Sequence, residues 1–459
     1  MWRRRPGSYA RAVINRLTSV LLALVAVLAW ASPAAAHGLD AEADVRFAQT
    51  IGGMELTVVV RASIRVPAPL QVDVVAHDPG KGGPVELAVR SVEDGGSSTA
   101  SVRIEAGRPG MYPAVLRAGQ VGPHELEVRA GGERSVLPFN LLVPRTPRWE
   151  VVVYAAFACG AVALLGALAS AALRRRGTAA GFAGTFAVAI VVAFTTGALS
   201  PWIAPEEAPA PETLTRPNAQ PLVEVSPERP PIRSDYRLRV TLFDGSTGAP
   251  ADDLVEHHAA LAHLVVTGDD GRFFRHVHPI RTAPGVYEVR LRAERPGRHL
   301  VYVEFERTGA GGQLVSGAFT VPGPDERDPG ESPVTVTTGA VPVIEPARPV
   351  AGRPVRLTLD TGATALRPWL GMAGHLILRS RDGGYLGHVH EARSMADATA
   401  DATAARAPDE SVARYGPRLE FVFSFPRPGR YLVWIQYAQD YRIVTVPHVV
   451  EVAEEGSGR

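Results

Sequence analysis

HLVVTGDDGRFFRHVHP (residues 263–279) decides how the C-terminal half of this chain folds, and HLILRSRDGGYLGHVHE (375–391) repeats it. In each stretch an Asp-Gly pair lies between two β-rich runs. That pair is the strongest short hairpin signal, because the tight turn it favours needs positive φ at its centre. If Asp270-Gly271 forms a two-residue turn, Asp269 pairs with Arg272, and counting back pairs His263 with His278. The same count pairs His375 with His390 around Asp382-Gly383. Directly opposed residues share a face with Cβ atoms about 5 Å apart. Alternation then brings His276 beside His278, and His388 beside His390, on that face. A longer loop leaves a one-residue slip open, which would turn His263 away.

Aligning His263 with His375 gives an offset of 112 residues, shared by the histidines that follow and by the Asp-Gly pairs. Further on, PGRHLVYVEF (296–305) matches PGRYLVWIQY (428–437) after a low-complexity insertion, SMADATADATAARAPDESVA. Upstream, YRLRVTLFDGSTG resembles RPVRLTLDTGAT. Two β-sandwich modules, 232–324 and 336–454, account for this repeat. A third sandwich is expected over 37–146, where short runs such as MELTVVVRASIRV, LQVDVVAHD and MYPAVLRA are separated by Gly, Pro and Asp. The fold class expected is mainly β: three immunoglobulin-like sandwiches plus a two-helix transmembrane hairpin.

The hairpin comes from two apolar runs, 149–173 and 181–203, each long enough to span a bilayer. Arg174-Arg175-Arg176 between them belongs in the cytoplasm by the positive-inside rule, which puts both flanking soluble parts outside. Residues 1–36 read as a signal peptide: arginines, an apolar stretch from Leu17 to Ala31, then Ala34-Ala35-Ala36. The alternative is an uncleaved anchor. The Pro- and Glu-rich stretch 204–231 reads as a linker.

Forty-eight basic residues against 47 acidic ones, with no basic stripe, argue against nucleic acid as a partner. The single cysteine, Cys159, excludes an intramolecular disulfide and a thiolate zinc site. No nucleophile elbow, phosphate loop or His-Glu-x-x-His motif is present, so the chain is not expected to be an enzyme.

Three imidazoles on one rigid hairpin suit copper, as Cu(II) or Cu(I), or zinc as the alternative. The candidate metal residues are His263, His276 and His278 for one site and His375, His388 and His390 for another. His37 is a third candidate: cleavage after Ala36 would leave its α-amine and imidazole free to chelate copper, with His77 or His124 to complete the site. Glu256, His257 and His258, and in the second module Met372 and Glu391, are candidate additional ligands. The competing reading makes the histidines structural, in a cell-envelope protein whose sandwiches bind another protein.

The stretch from HGLDAEADVRFAQTIGGMELTVVVRA through HELEVRA resembles the YtkA-like extracytoplasmic domains, which are small immunoglobulin-like sandwiches, and periplasmic copper chaperones that begin with histidine. The histidine modules resemble a pattern in bacterial membrane-tethered proteins associated with heavy metals. There a His-Leu strand is followed by a turn, His-x-His-Pro and a Pro-Gly-x-Tyr strand. The first module keeps that proline as Pro279, and the second carries Glu391. The resemblance implies an extracytoplasmic protein on the cell membrane, handling copper for homeostasis, resistance or delivery. Its partners would be the lipid bilayer and an envelope metalloenzyme or its assembly factor.

Overall fold

The computed structural model describes residues 44–61, 66–141, 148–199, 218–324, 340–394 and 412–454. The signal peptide and His37 lie outside the described residues, as does most of the second-module insertion. The fold is mainly β, built from antiparallel sheets, with two long apolar helices.

The first sandwich contains β1 (Val45–Ile51), β2 (Met54–Val60), β3 (Ala68–Asp78), β4 (Gly83–Ser91), β5 (Ser97–Ile104), β6 (Gly110–Ala118), β7 (Gly122–Ala130) and β8 (Glu133–Leu141). Its sheets run β1-β2-β3-β6 and β5-β4-β7-β8. Alternate residues of strands such as β4 (Val85, Leu87, Val89) and β7 (Leu126, Val128, Ala130) fill the core between them. The other residues of those strands largely face solvent, the period-2 pattern of a half-buried sheet.

The helices are α1 (Arg148–Ala172) and α2 (Arg176–Ala198). The second starts at Arg176, five residues before the apolar run, because nothing in Arg-Gly-Thr-Ala-Ala blocks helical backbone. The arginine turn is correspondingly tighter. Small residues let the pair approach: Gly160 faces Ala189, and Gly166 lies against the Phe182 ring. Val162, Val188, Val191 and Phe194 remain largely exposed on the pair. A soluble core helix would bury such residues, so the two helices suit association with a membrane.

The second sandwich follows. One sheet, β14-β15-β10-β9, contains β9 (Gln220–Ser226), β10 (Asp235–Phe243), β14 (Ile280–Ala283) and β15 (Val286–Arg292). The facing sheet, β11-β16-β12-β13 with β17 on β16, contains β11 (Leu254–Val255), β12 (His263–Gly268), β13 (Phe274–Val277), β16 (Gly297–Arg307) and β17 (Gly311–Val321). Residues 220–226, read above as linker, form the edge strand β9, because the alternating Val223 and Val225 give it an apolar side to lay on the core while Leu222 faces outward. Residues 204–217 are not described.

The third sandwich has β18 (Val343–Glu345), β19 (Pro354–Asp360) and β22 (Arg418–Ser424) in one sheet. The other, β21-β20-β23-β24, uses β20 (His375–Ser380), β21 (Leu386–His390), β23 (Gly429–Gln439) and β24 (Arg442–Val452).

Both histidine hairpins keep the register expected, with a different turn. β12 and β13 pair Leu264 with Val277 and Val265 with His276; β20 and β21 pair His375 directly with His390. The hairpins close at Gly268–Phe273 and Ser380–Tyr385, so four residues lie in each loop rather than two. Lengthening a loop by one residue on each side leaves the register unchanged. Only the glycine of each Asp-Gly has positive φ, +75° at Gly271 and +74° at Gly383.

All six residues of β12 are buried, and all six of β20. One face of each strand (Leu264, Val266; Leu376, Leu378) lines its own sandwich core. The histidine face is covered by the other module. Val265, Phe274, Leu300, Tyr302, Ile377, Leu386, Leu432 and Trp434 form one apolar cluster between the two, with Phe274 stacked on Trp434 at 4.6 Å. The arrangement is pseudo-twofold: Gly271 abuts Leu432, and Gly383 abuts the repeat-equivalent Leu300. A Cβ at either glycine would lie 2.4 Å from the leucine Cδ1.

Candidate metal centre

The two triads expected from the sequence come together. One ligand nitrogen from each of His263, His276 and His278 lies within 4.8 Å of the others, and the same holds for His375, His388 and His390. In the first triad His263 Nδ1 is 3.4 Å from His276 Nε2 and 3.2 Å from His278 Nε2. In the second, His375 Nδ1 is 3.1 Å from His388 Nε2. Three nitrogens bound to one ion at about 2.0 Å in a tetrahedral or trigonal arrangement would stand about 3.3–3.5 Å apart.

The outer nitrogens fix the tautomers. His263 Nε2 donates to the carbonyl of His257 at 3.0 Å, and His278 Nδ1 donates to Glu55 Oε1 at 2.5 Å. His276 Nδ1 donates to Gln436 Oε1 at 2.9 Å, and the Gln436 amide is oriented by donating to Thr445 Oγ1. In the second triad His375 Nε2 donates to the carbonyl of Trp369 at 3.0 Å, and His388 Nδ1 to Glu304 Oε2 at 2.7 Å. Every one of these partners can only accept. Each outer nitrogen therefore carries the proton, and a neutral imidazole then presents a bare lone pair from its inner nitrogen.

Burial favours that neutral form. It holds His263, His276 and His375 well below the ordinary imidazole range, and neighbouring imidazoles push the same way. His390 is lowered for the same reasons. Burial alone would raise the Glu304 carboxyl, but the His388 hydrogen bond and nearby imidazoles outweigh it and leave it lowered. With the rings neutral, lone pairs would face one another at about hydrogen-bond distance, an arrangement a cation would relieve. In the second triad His390 Nε2 is also buried without a hydrogen-bond partner among the described residues.

The supporting groups come from all three sandwiches. Glu55 belongs to β2 of the first, which also docks through Thr50: its N–H donates to the His278 carbonyl, and its hydroxyl accepts from the His278 N–H. The Thr50 hydroxyl also bonds the Glu55 carboxylate. Outer-shell carboxylates of this kind orient metal-bound histidines and raise their basicity. No local pattern in the sequence marks Glu55, Glu304 or Gln436 for these roles. The repeat does place Glu304 and Gln436 at equivalent positions, paired with His263 and His375 on the adjacent strands.

The additional candidates are less convergent. His257 pairs with Glu306 at a half-exposed position. His258 packs at 4.0 Å from the His390 ring, and burial lowers it to about 3. It lies in a turn with positive φ at His258 and Ala259, equivalent to Leu370-Gly371 in the other module. Glu256 stands on the surface. Glu391 caps the short turn at Ser394, and Met372 is buried in the turn that follows Trp369. His77 spends both ring nitrogens on Thr57 Oγ1 and the Tyr441 carbonyl, and His124 bonds the Gly122 carbonyl.

Comparison with known proteins adds little about function. Residues 222–322 and 337–454 match a family described as a domain of unknown function, DUF8832, and these are the two histidine-bearing repeats. No curated protein is significantly similar to the chain. Among solved structures, likeness is found to dimeric latent PorU from Porphyromonas gingivalis, at 10% identity over 85% of this chain and 32% of that one, TM-score 0.17. A tetra-tandem repeat of a large adhesion protein shows 9% identity over 89% and 82%, TM-score 0.16. The FN1–FN3 domains of chicken CNTN1 show 9% over 85% and 97%, TM-score 0.15. The chain spans about a third of PorU, and overlaps of this size carry no inference about activity. The YtkA-like and copper-handling resemblance has no counterpart in these matches.

Proposed function

We propose that this chain is a membrane-anchored, extracytoplasmic metal-binding protein that holds copper in its paired histidine triads. The observation that carries the reading is the set of inner nitrogens 3.1–3.4 Å apart, each aimed inward because its ring's outer nitrogen is held by an acceptor. Imidazole suits copper and zinc alike, and among divalent first-row ions copper binds such sites most tightly. Zinc is the alternative ion. His263, His276 and His278 serve one site, His375, His388 and His390 the other, and His37 a separate amino-terminal one.

The arginines between the two helices support an orientation with the sandwiches outside the cytoplasm. There the chain would store copper, confer resistance, or deliver the ion to an envelope metalloenzyme or its assembly factor, a role in binding rather than catalysis. One observation favours the alternative of structural histidines in an envelope interaction protein: the first triad is fully enclosed between sandwiches. Competition titrations of the full chain in detergent against chromogenic chelators, with Cu(I), Cu(II) and Zn(II), separate the two. Tight binding of two or more copper ions per chain is expected. No binding above that of a histidine-poor membrane protein leaves the interaction reading standing.

A further inference from the structure

The two triads are not separated in space. Within a triad, ring centroids lie 5.0–5.6 Å apart in the first and 4.8–5.3 Å in the second. Across the module boundary His276 and His388 are 5.3 Å apart, His263 and His388 5.6 Å, and His276 and His375 6.1 Å. The six imidazoles form one continuous cluster astride the pseudo-twofold axis.

The supporting hydrogen bonds cross the same boundary. His276, a first-triad residue, is oriented by Gln436 on β23 of the third sandwich. His388, from the second triad, is oriented by Glu304 on β16 of the second sandwich. Glu304 is itself the cross-strand neighbour of His263, and Gln436 that of His375. Each triad is therefore held in shape by a side chain lying beside the other triad's first histidine. Neither module carries a complete site by itself.

We propose that the two triads are halves of one dinuclear centre, two copper ions held side by side and assembled only where the second and third sandwiches dock. This rests on the metal-binding reading above and adds that the ions sense each other. Placing two dications close together in a poorly solvated site costs electrostatic energy. The second Cu(II) should therefore bind more weakly than the first, although the triads themselves are near-equivalent. The pair should also be magnetically coupled.

The test is electron paramagnetic resonance of the full chain in detergent, loaded with Cu(II) alone at half, one and two equivalents. At half an equivalent an isolated-ion spectrum is expected. At two equivalents the expected result is dipolar broadening with a half-field line, or loss of signal intensity relative to bound copper. A two-equivalent spectrum that equals twice the half-equivalent one, with both ions bound, overturns the dinuclear proposal and leaves two independent sites. Saturation at one equivalent overturns the dinuclear proposal alone, and no binding at all overturns the metal-binding reading and this one with it. The double variant His388→Ala/His390→Ala supplies a single-ion reference and should show no coupling at saturation. The half-loaded wild type serves as that reference if the variant does not fold.

Discussion

Glu304 pairs with His263 across neighbouring strands of one sheet, and its carboxylate accepts a hydrogen bond from His388 of the facing module at 2.7 Å. A single side chain thus sits beside one triad and orients the other. Replacing it by alanine frees the His388 ring to rotate and to change tautomer. Glu304→Ala is expected to weaken copper binding at the second triad by about 10- to 100-fold, with Glu304→Gln keeping much of it. Competition titration against a chelator reads the change, and an unaltered second affinity would remove Glu304 from the centre.

Glu55 does the corresponding work for His278 from a different sandwich. Both residues are buried, so Glu55→Ala leaves a buried imidazole N–H without its acceptor. A loss of about 1–3 kcal/mol in unfolding free energy is expected for the metal-free chain, alongside weaker binding at the first triad. Chemical denaturation measures the first effect. A variant as stable as the wild type would show that the first sandwich does not support the site.

The interface should matter to both triads at once. Trp434 is buried against Phe274 between the modules, and Trp434→Ala is expected to cost about 3–5 kcal/mol. Because the outer hydrogen bonds cross that interface, copper affinity should fall at both triads together. Loss at only one would mean that the modules build their sites separately.

Acid should destabilise the metal-free protein. His263, His276 and His375 are held neutral by burial, their folded pKa values lying below that of the unfolded chain. As pH falls below about 6.5, the unfolded chain binds protons that the folded chain does not. Stability therefore drops with falling pH, by up to about 1.4 kcal/mol per pH unit for each such group. Denaturation midpoints at pH 7.5 and 5.5 check this, and a midpoint that rises on acidification contradicts it.

Much of the histidine geometry was legible in the sequence because a hairpin is a local object. Its register depends on a symmetric loop and on strand alternation, and His263, His276 and His278 fall on one face whether the loop holds two residues or four. What covers that face was not legible. The apolar runs Leu264-Val265-Val266 and Leu376-Ile377-Leu378 do signal strands buried on both sides, since alternation is missing. They do not say what lies opposite. The contacts from Glu55 and Gln436 join residues more than 150 positions apart in the chain, and no local pattern encodes them. Strand β9 was hidden because a Pro- and Glu-rich context masked a short alternating run.

Metal binding by the two triads can be counted ion by ion. Equilibrium dialysis of the full chain against Cu(II), with bound copper counted by mass spectrometry, tests it most directly when wild type is compared with His276→Ala/His278→Ala and with His388→Ala/His390→Ala. Each pair of substitutions is expected to remove one copper ion per folded chain. Equal copper content in all three folded proteins would contradict it.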